Sequence, residues 1–248
     1  MTPREQIIQN FGQILNAIKT QEGKIEFLKK AVKASVNGAG LQLIDRYEQA
    51  GRLEDAARLS EKLGDASRAR DLFRRKMERD EADGRFEEAS RIAQILGLQE
   101  RALELYERGG QFGSAAQLAE KLGMAERALS LYEKANWFED GAGLAERLGL
   151  RERSMELFEK QIQQYESSGL VHEAFELAER LGLTERAIGL YEKAGVFEHA
   201  ARLAESLGRM ERAMVLYEKA GLFNQAAESA QRLGKLEEAQ YYKLISEL

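Results

Sequence analysis

The sequence predicts an all-α protein built as a tandem array of short helices. Proline, the residue that most damages helix interiors, occurs once in 248 residues. The segment LYEKAG occupies residues 190–195 and returns at residues 216–221. Glycine recurs every 13 residues through much of the chain, where it would stop a short helix. Together these observations favour a repeat architecture.

The last residue of each LYEKAG-like segment marks the end of one repeat unit. These closing residues are Gly51, Gly84, Gly110, Asn136, Gly169, Gly195 and Gly221. The units alternate as 33, 26 and 26 residues, so residues 52–136 and 137–221 are two copies of a larger block. Asparagine is the best replacement for glycine in a left-handed backbone conformation, so Asn136 is expected to act as the glycines do.

Each 26-residue unit divides into two 13-residue halves with helical apolar spacing, which predicts a hairpin of two amphipathic helices of about ten residues. Helices of this length are marginal alone, so stacked neighbours must cover their apolar faces. Two rows of small residues should mark close approach of the backbones. The first row is Ala56, Ala89, Ala115, Gly141, Ala174, Ala200 and Ala226, and the second is Ala69, Ala102, Ala128, Ser154, Ala187, Ala213 and Ala239.

A leucine precedes each mid-unit glycine and is expected to lie in the core. The row comprises Leu63, Leu96, Leu122, Leu148, Leu181, Leu207 and Leu233. The 33-residue units carry seven extra residues near 75–81 and 160–166. Seven residues are two helical turns, so we expect the second helix of these units to be longer without turning its apolar face away.

The first 40 residues fit the repeat poorly and are predicted to form an N-terminal helical cap. Thr2-Pro3-Arg4-Glu5 combines a capping box with proline at the first helical position, and two segments with helical spacing follow. The full prediction is a right-handed α-α superhelix of about seven hairpins. Its domains are a cap over 1–40 and one continuous solenoid over 41–248.

The spacing Gly-x-Phe-Glu-x-Ala, followed by Ala or Tyr and then an apolar residue, resembles the second helix of tetratricopeptide repeats. The array over roughly residues 41–248 is also similar to the short-helix solenoids of clathrin and coatomer heavy chains. Two departures are the shorter 26-residue units and the missing proline that usually closes a tetratricopeptide unit. The resemblance implies a scaffold that holds other proteins on its curved surface, with no catalytic residues to transfer.

Composition bounds the partners and the compartment. A net charge of −5 argues against nucleic acid as the main partner. The absence of cysteine and of an apolar leader or membrane-spanning run favours a soluble, cytoplasmic protein. Lys29, Lys30 and Lys33 form a basic cluster that could contact an acidic partner or a membrane surface, or could be an ordinary solvated face.

Residues with catalytic or metal-binding patterns are missing from the sequence. The two histidines, His172 and His199, have no metal-ligand spacing and are expected at the surface. A Glu-Arg pair recurs in unit after unit, for example Glu185-Arg186, and is expected to serve helix starts. We therefore predict no enzymatic activity, no cofactor and no metal.

The candidate partner-binding residues lie where one unit departs from its neighbours. Trp137 is the only tryptophan and precedes a helix with glycines in its interior. Tyr165 lies in a seven-residue insertion, and His172 follows it. Phe175 stands where five sister units have alanine and one has serine, so a core-filling role is the alternative for this side chain.

The leading functional hypothesis is a non-enzymatic scaffold or adaptor that binds a protein or peptide partner on its solenoid surface. The alternative is a self-assembling, coat-like component that forms homo-oligomers through its terminal helices. The C-terminal segment YYKLISEL motivates this alternative because its apolar residues would be exposed unless paired.

Overall fold

The computed structural model describes residues 5–6, 9–33 and 35–247. Over these residues it contains 17 α-helices and no strand, and it packs as two compact units, residues 1–135 and 136–248. The helices of the first unit are α1 Phe11–Ala17, α2 Gln21–Lys33, α3 Ala39–Gln49, α4 Leu53–Lys62, α5 Ala66–Ala82, α6 Phe86–Ile95, α7 Gln99–Arg108, α8 Phe112–Lys121 and α9 Ala125–Lys134. Those of the second are α10 Phe138–Arg147, α11 Arg151–Ser167, α12 Val171–Arg180, α13 Thr184–Lys193, α14 Phe197–Ser206, α15 Met210–Lys219, α16 Phe223–Arg232 and α17 Leu236–Ser246.

Consecutive helices pack on each other as hairpins, which confirms the predicted all-α repeat fold. The first unit holds the pairs α4/α5, α6/α7 and α8/α9. The second holds α10/α11, α12/α13, α14/α15 and α16/α17. Within the described residues the array therefore has the seven hairpins that the sequence predicts.

From α3 to α17, the joints between helices share one backbone conformation, with a single left-handed residue. At the α6–α7 joint, Gly97 has a φ of +75° and its N–H donates to the carbonyl of Gln94, while the N–H of Leu98 donates to the carbonyl of Ala93. This is the Schellman arrangement, which satisfies the last carbonyls of a helix. Asn136 has a φ of +57°, which confirms that it takes the glycine conformation.

In the joints from α3 to α17, the residue after the left-handed position is also the N-cap of the next helix, so two residues make the whole turn. Asp65 is the only such cap in these joints whose side chain accepts a hydrogen bond from the helix, at 2.9 Å from the Arg68 N–H. At the other joints this position holds residues such as Leu98, Trp137 and Leu170, whose side chains cannot accept one.

The two rows of small residues lie in the core, one row on the first helix and one on the second helix of each hairpin. Every member is buried. The alanines and Ser154 are 0% to 2% exposed, and Gly141 is also buried. Larger side chains such as Ile92, Leu105, Leu131 and Leu190 fill the space around them. Both predicted rows therefore lie in the core, while the close approach of the backbones at these positions stays a prediction.

The expectation that the leucine before each mid-unit glycine lies in the core is wrong. Leu63, Leu122, Leu148 and Leu207 are 37–48% exposed, and the other members of the row are half-buried. Each is the C-cap residue of its helix, at the edge where the chain reverses. Because solvent reaches this edge, helical periodicity alone overestimates how deeply the C-cap leucine is buried.

Two helices are longer than the others. α5 and α11 have 17 residues each, while the remaining helices of the seven hairpins have 10 or 11. The extra turn region of α5 buries Asp80, whose carboxylate accepts hydrogen bonds from Arg85 Nε at 3.0 Å and Nη2 at 2.7 Å and pairs with Lys76. In α11 the corresponding position is Tyr165.

The N-terminal segment is helical where it is described. α1 and α2 contact each other, with the Phe11 and Phe27 rings stacked at 5.7 Å. α3 begins at Ala39, two residues before the predicted start of the solenoid. Of the capping box Thr2-Pro3-Arg4-Glu5, the first three residues lie outside the described residues. The division into a cap and a single solenoid, and the handedness of the superhelix, stay predictions.

Candidate interaction surface

Trp137 lies at the start of the second unit, as the N-cap residue of α10. Its side chain is 40% exposed, against 44% for Leu170, which holds the same place before α12. The interior glycines that follow it belong to α10, where Gly141 is buried in the first row of small residues. An indole at a joint therefore replaces the arginine, glutamine, leucine or valine found at equivalent joints.

Tyr165 lies near the end of the long helix α11 and is half-buried. The next residue, Glu166, forms salt bridges with Lys193 at 2.7 Å and with Arg186. The Lys193 ammonium and the Arg186 guanidinium hold the pKa of this carboxyl below its ordinary value. Tyr165 is thus flanked by a charged contact with the next hairpin, and none of the ring contacts among the described residues joins it to His172 or Phe175.

His172 and Phe175 lie together on α12. Their ring centroids are 4.8 Å apart in an edge-to-face arrangement, and His172 Nε2 lies 3.2 Å from Glu176 Oε1. The His172 side chain is exposed, as predicted, whereas Phe175 is only 8% exposed. The core-filling alternative for Phe175 is therefore the better description of its ring.

The Phe175 ring continues a stack that the sequence did not indicate. It lies 4.0 Å from the ring of Tyr191 on α13, and Tyr191 lies 5.4 Å from the ring of His199 on α14. We call the series His172, Phe175, Tyr191 and His199 the aromatic ladder. Both its ends are exposed histidines and its centre is buried, so the ladder joins three consecutive helices and reaches the surface twice. Offset and edge-to-face ring pairs of this kind add about 0.5–1.5 kcal/mol beyond area burial.

The tyrosines of the LYEKAG-like segments have a recurrent hydrogen bond. In three hairpins the tyrosine hydroxyl donates to a glutamate twelve positions earlier, on the first helix of the same hairpin. The pairs are Tyr132 with Glu120 at 2.7 Å, Tyr191 with Glu179 at 3.1 Å and Tyr217 with Glu205 at 2.8 Å. Burial, and then the adjacent carboxylate, raises the pKa of Tyr191 and of Tyr217 to about 12.

The glutamate one position after that tyrosine, or after Asp80 in the case of Glu81, contacts the next hairpin instead. It accepts from an arginine twenty positions later, on the second helix of the following hairpin. The pairs include Arg68 with Glu48 at 2.7 Å, Arg101 with Glu81 at 2.7 Å, Arg127 with Glu107 at 2.8 Å and Arg212 with Glu192 at 2.8 Å. Arg101, Arg127 and Arg212 belong to the recurrent Glu-Arg pair, whereas Arg68 follows a serine. The glutamate of the pair does lie in the first turn, as in α13 and α15. Sequence reasoning missed the arginine's role, although the constant separation of twenty residues was visible.

Comparison with known proteins adds a similarity to helical repeats. No protein-family model and no curated protein matches the sequence. Among solved structures, a tetratricopeptide repeat protein from Parabacteroides merdae is 17% identical with a TM-score of 0.26, over 96% of this chain and 98% of its own. BtubC (BKLC) from P. vanneervenii is 17% identical with a TM-score of 0.18, over 99% and 92%. Nearly identical TPR-like repeats from Podosopora anserina are 15% identical with a TM-score of 0.22, over 82% and 94%.

These TM-scores are all below 0.5, so the similarity carries no argument about function. The repeat architecture rests instead on the helices and joints of the chain itself. Among the described residues, no group of three or more histidine, cysteine, aspartate or glutamate side chains is placed to hold a metal ion. No described helix has the length and apolarity that crossing a membrane requires.

Proposed function

We propose that the chain is a non-enzymatic scaffold that binds a protein or peptide partner on the surface of its second unit. The observation that supports this is the aromatic ladder. Six sister hairpins have alanine or serine where Phe175 stands, and this one departure creates a ring stack that reaches solvent through His172 and His199. Exposed aromatic edges beside apolar surface are typical of protein-binding sites.

Trp137 and Tyr165 extend the proposal to the preceding hairpin. Tryptophan and tyrosine are enriched among residues that dominate binding energy, because they bury large areas with few rotatable bonds. We propose that Trp137, Tyr165, His172 and Phe175 contribute to one partner-binding surface, with His172 and Trp137 as its exposed contacts.

The test compares matched variants in affinity purification of the full chain, followed by quantitative mass spectrometry and binding of each identified partner. Trp137→Ala and His172→Ala should weaken at least one partner by five-fold or more, about 1 kcal/mol. Leu98→Ala is the control, since Leu98 is also an N-cap residue at a joint, with 41% exposure, and lies in the first unit. If both test variants retain every partner at unchanged affinity, the surface is wrongly assigned.

Phe175→Ala separates binding from packing. It restores the residue of five sister hairpins, so the fold should survive while the ladder is interrupted. Loss of the partner with a retained melting temperature would show that the ladder itself contributes to binding. A partner that tolerates this variant but not His172→Ala would restrict the contact to the exposed edge.

Self-assembly is the second proposal. Of the predicted segment YYKLISEL, the described residues include 241–247, in which Tyr241 and Leu244 are 58% and 63% exposed and Tyr242 is buried. Leu236, also in α17, is 66% exposed. Light scattering over a range of concentrations tests it. A strictly monomeric protein at high concentration would remove the proposal.

A further inference from the structure

A concave surface lies between α2, α3 and α4 in the first unit, apart from the aromatic ladder. It encloses about 440 Å³. Five cationic side chains line it, and we call this surface the basic groove: Lys29, Lys30, Lys33, Arg58 and Lys62. The three-lysine cluster noted in the sequence is therefore joined by two cations from α4, so three separate helix faces converge on one cavity rather than on an open plane.

The positive charge of the basic groove is only partly neutralised within the protein. Lys29 pairs with Glu26 and Arg58 with Glu54 at 2.7 Å, and the second carboxylate of the lining, Asp55, pairs with Arg52 at 2.7 Å. Among the described residues, no salt bridge involves Lys30, Lys33 or Lys62, and all three side chains are exposed. This contrasts with the arginines that join successive hairpins, which are each paired with a glutamate.

The floor of the basic groove is apolar. Leu43 and Tyr47 of α3 are 3% and 7% exposed, and the half-buried Leu59 of α4 completes the floor. Burial raises the pKa of the Tyr47 phenol, so this ring stays neutral under the lysines. An apolar floor under a cationic rim fits a ligand with an apolar side chain between negative charges.

We propose that the basic groove binds an acidic peptide segment of a partner protein, with aspartate or glutamate side chains on Lys30, Lys33 and Lys62 and one apolar side chain on the Leu43–Tyr47 floor. A peptide fits better than a membrane surface, because the apolar residues are recessed and cannot enter a bilayer ahead of the lysines. The remainder of the chain is acidic, with a net charge of −5 overall, which disfavours a long polyanion such as nucleic acid. The proposal is independent of the second-unit surface, so either can fail alone.

The experiment measures fluorescence anisotropy of a labelled short peptide of alternating glutamate and aspartate around one leucine, added to the full chain. Binding should weaken steeply with salt, and Lys30→Gln with Lys33→Gln in one protein should weaken it by about ten-fold. The matched control is Lys121→Gln, an exposed lysine of α8 outside the groove, which should leave binding unchanged. A peptide with glutamine and asparagine in place of the acids should not bind, and one with serine for leucine should bind more weakly.

Several outcomes would overturn the proposal. The first is that Lys121→Gln weakens peptide binding as much as the double variant does. The second is that the acidic peptide does not bind, and the third is that replacing its leucine by serine leaves its affinity unchanged. Phosphatidylserine vesicles or a single-stranded oligonucleotide binding more tightly than the peptide, and losing that binding in the double variant, would assign the groove to a different class of ligand. Concentration-dependent self-association that the double variant abolishes would assign it to a second copy. Unchanged melting temperatures verify that the exposed lysines do not affect folding.

Discussion

Single carboxylates decide much of how neighbouring helices are held together. Glu54 of α4 is the clearest case, because Arg91 of α6 donates to both its oxygens, at 3.1 and 2.8 Å, and Arg58 donates at 2.7 Å. The Arg91 guanidinium, and then that of Arg58, lowers the pKa of Glu54 to about 2. A carboxylate whose folded pKa is depressed stabilises the protein above its unfolded pKa and loses that contribution as pH falls through the folded value.

Glu54→Gln should therefore flatten the acid limb of the stability curve. Between about pH 5 and pH 2 the unmodified protein should lose about 1 kcal/mol more stability than the variant, since partly exposed pairs contribute modestly. Urea unfolding at a series of pH values measures this. Glu61→Gln on the same helix is the control, because no salt bridge of the described residues involves Glu61. If the unmodified protein and Glu54→Gln lost the same free energy of unfolding between about pH 5 and pH 2, the lowered pKa of Glu54 would be contradicted.

The tyrosine hydroxyls give the opposite dependence on pH. Burial, and then the Glu205 carboxylate, raises the pKa of Tyr217 from 10.0 to about 12. The stabilising contribution of the protonated phenol is complete below pH 10 and disappears as pH rises towards 12. Tyr217→Phe should cost about 1 kcal/mol at neutral pH, with its stability curve approaching that of the unmodified protein at alkaline pH.

Chemical unfolding between pH 7 and 12 follows this difference. Tyr241→Phe is the control, since Tyr241 is 58% exposed and its hydroxyl has no partner among the hydrogen bonds of the described residues. A Tyr217→Phe variant as stable as the unmodified protein at neutral pH would show that the hydroxyl of Tyr217 contributes nothing.

At the scale of the helix and its joint, two glycines of the same hairpin offer opposite predictions. Gly182 has a φ of +70° with open space around it, so Gly182→Ala should destabilise by about 1 kcal/mol through backbone strain alone. Gly189 lies inside α13 with ordinary helical backbone and equally open space. Gly189→Ala should stabilise by about 0.5–1 kcal/mol. The melting temperatures of the two variants test this difference. If both variants shifted the melting temperature in the same direction, the left-handed conformation assigned to Gly182 would be contradicted.

The helices and their joints were largely predictable because the same sequence pattern occurs in every repeat. The thirteen-residue glycine spacing, the two alanine rows and Asn136 in the glycine place all follow from backbone requirements that act locally. Leu63 and its equivalents were misplaced because periodicity assigns a helical face and does not say where the chain turns. The partners of Arg101 and Tyr191 lie twenty and twelve residues away, so they needed the packing of the helices.

The candidate surface was less accessible from sequence. Phe175 was recognised as a departure from the repeat, yet its neighbours Tyr191 and His199 look unremarkable within their own units. Only the stacking of successive hairpins brings these three rings together. The basic groove is similar, since Arg58 and Lys62 join the lysine cluster through the packing of α4 near α2 and α3.

At the scale of the whole molecule, contacts within each unit run chiefly between consecutive helices. Such arrays respond to damage as a chain of nearest neighbours. Gly208→Ala, at the α14–α15 joint, should therefore lower amide hydrogen-exchange protection in α13–α16 and leave α4–α8 unchanged. Gly189→Ala is the control and should lower protection nowhere. A uniform loss of protection along the chain would contradict nearest-neighbour behaviour.

The two-residue joint also limits how such a chain can change its length. Because the residue after the left-handed position already caps the next helix, a single inserted residue has no loop in which to be absorbed, and would displace every later side chain from its neighbour. Length can change without that penalty only by about two turns inside a helix, as in α5 and α11, or by a complete hairpin. Evolution or design can therefore lengthen this protein only by a few kinds of insertion. The 33- and 26-residue repeats show two lengths that the array accommodates.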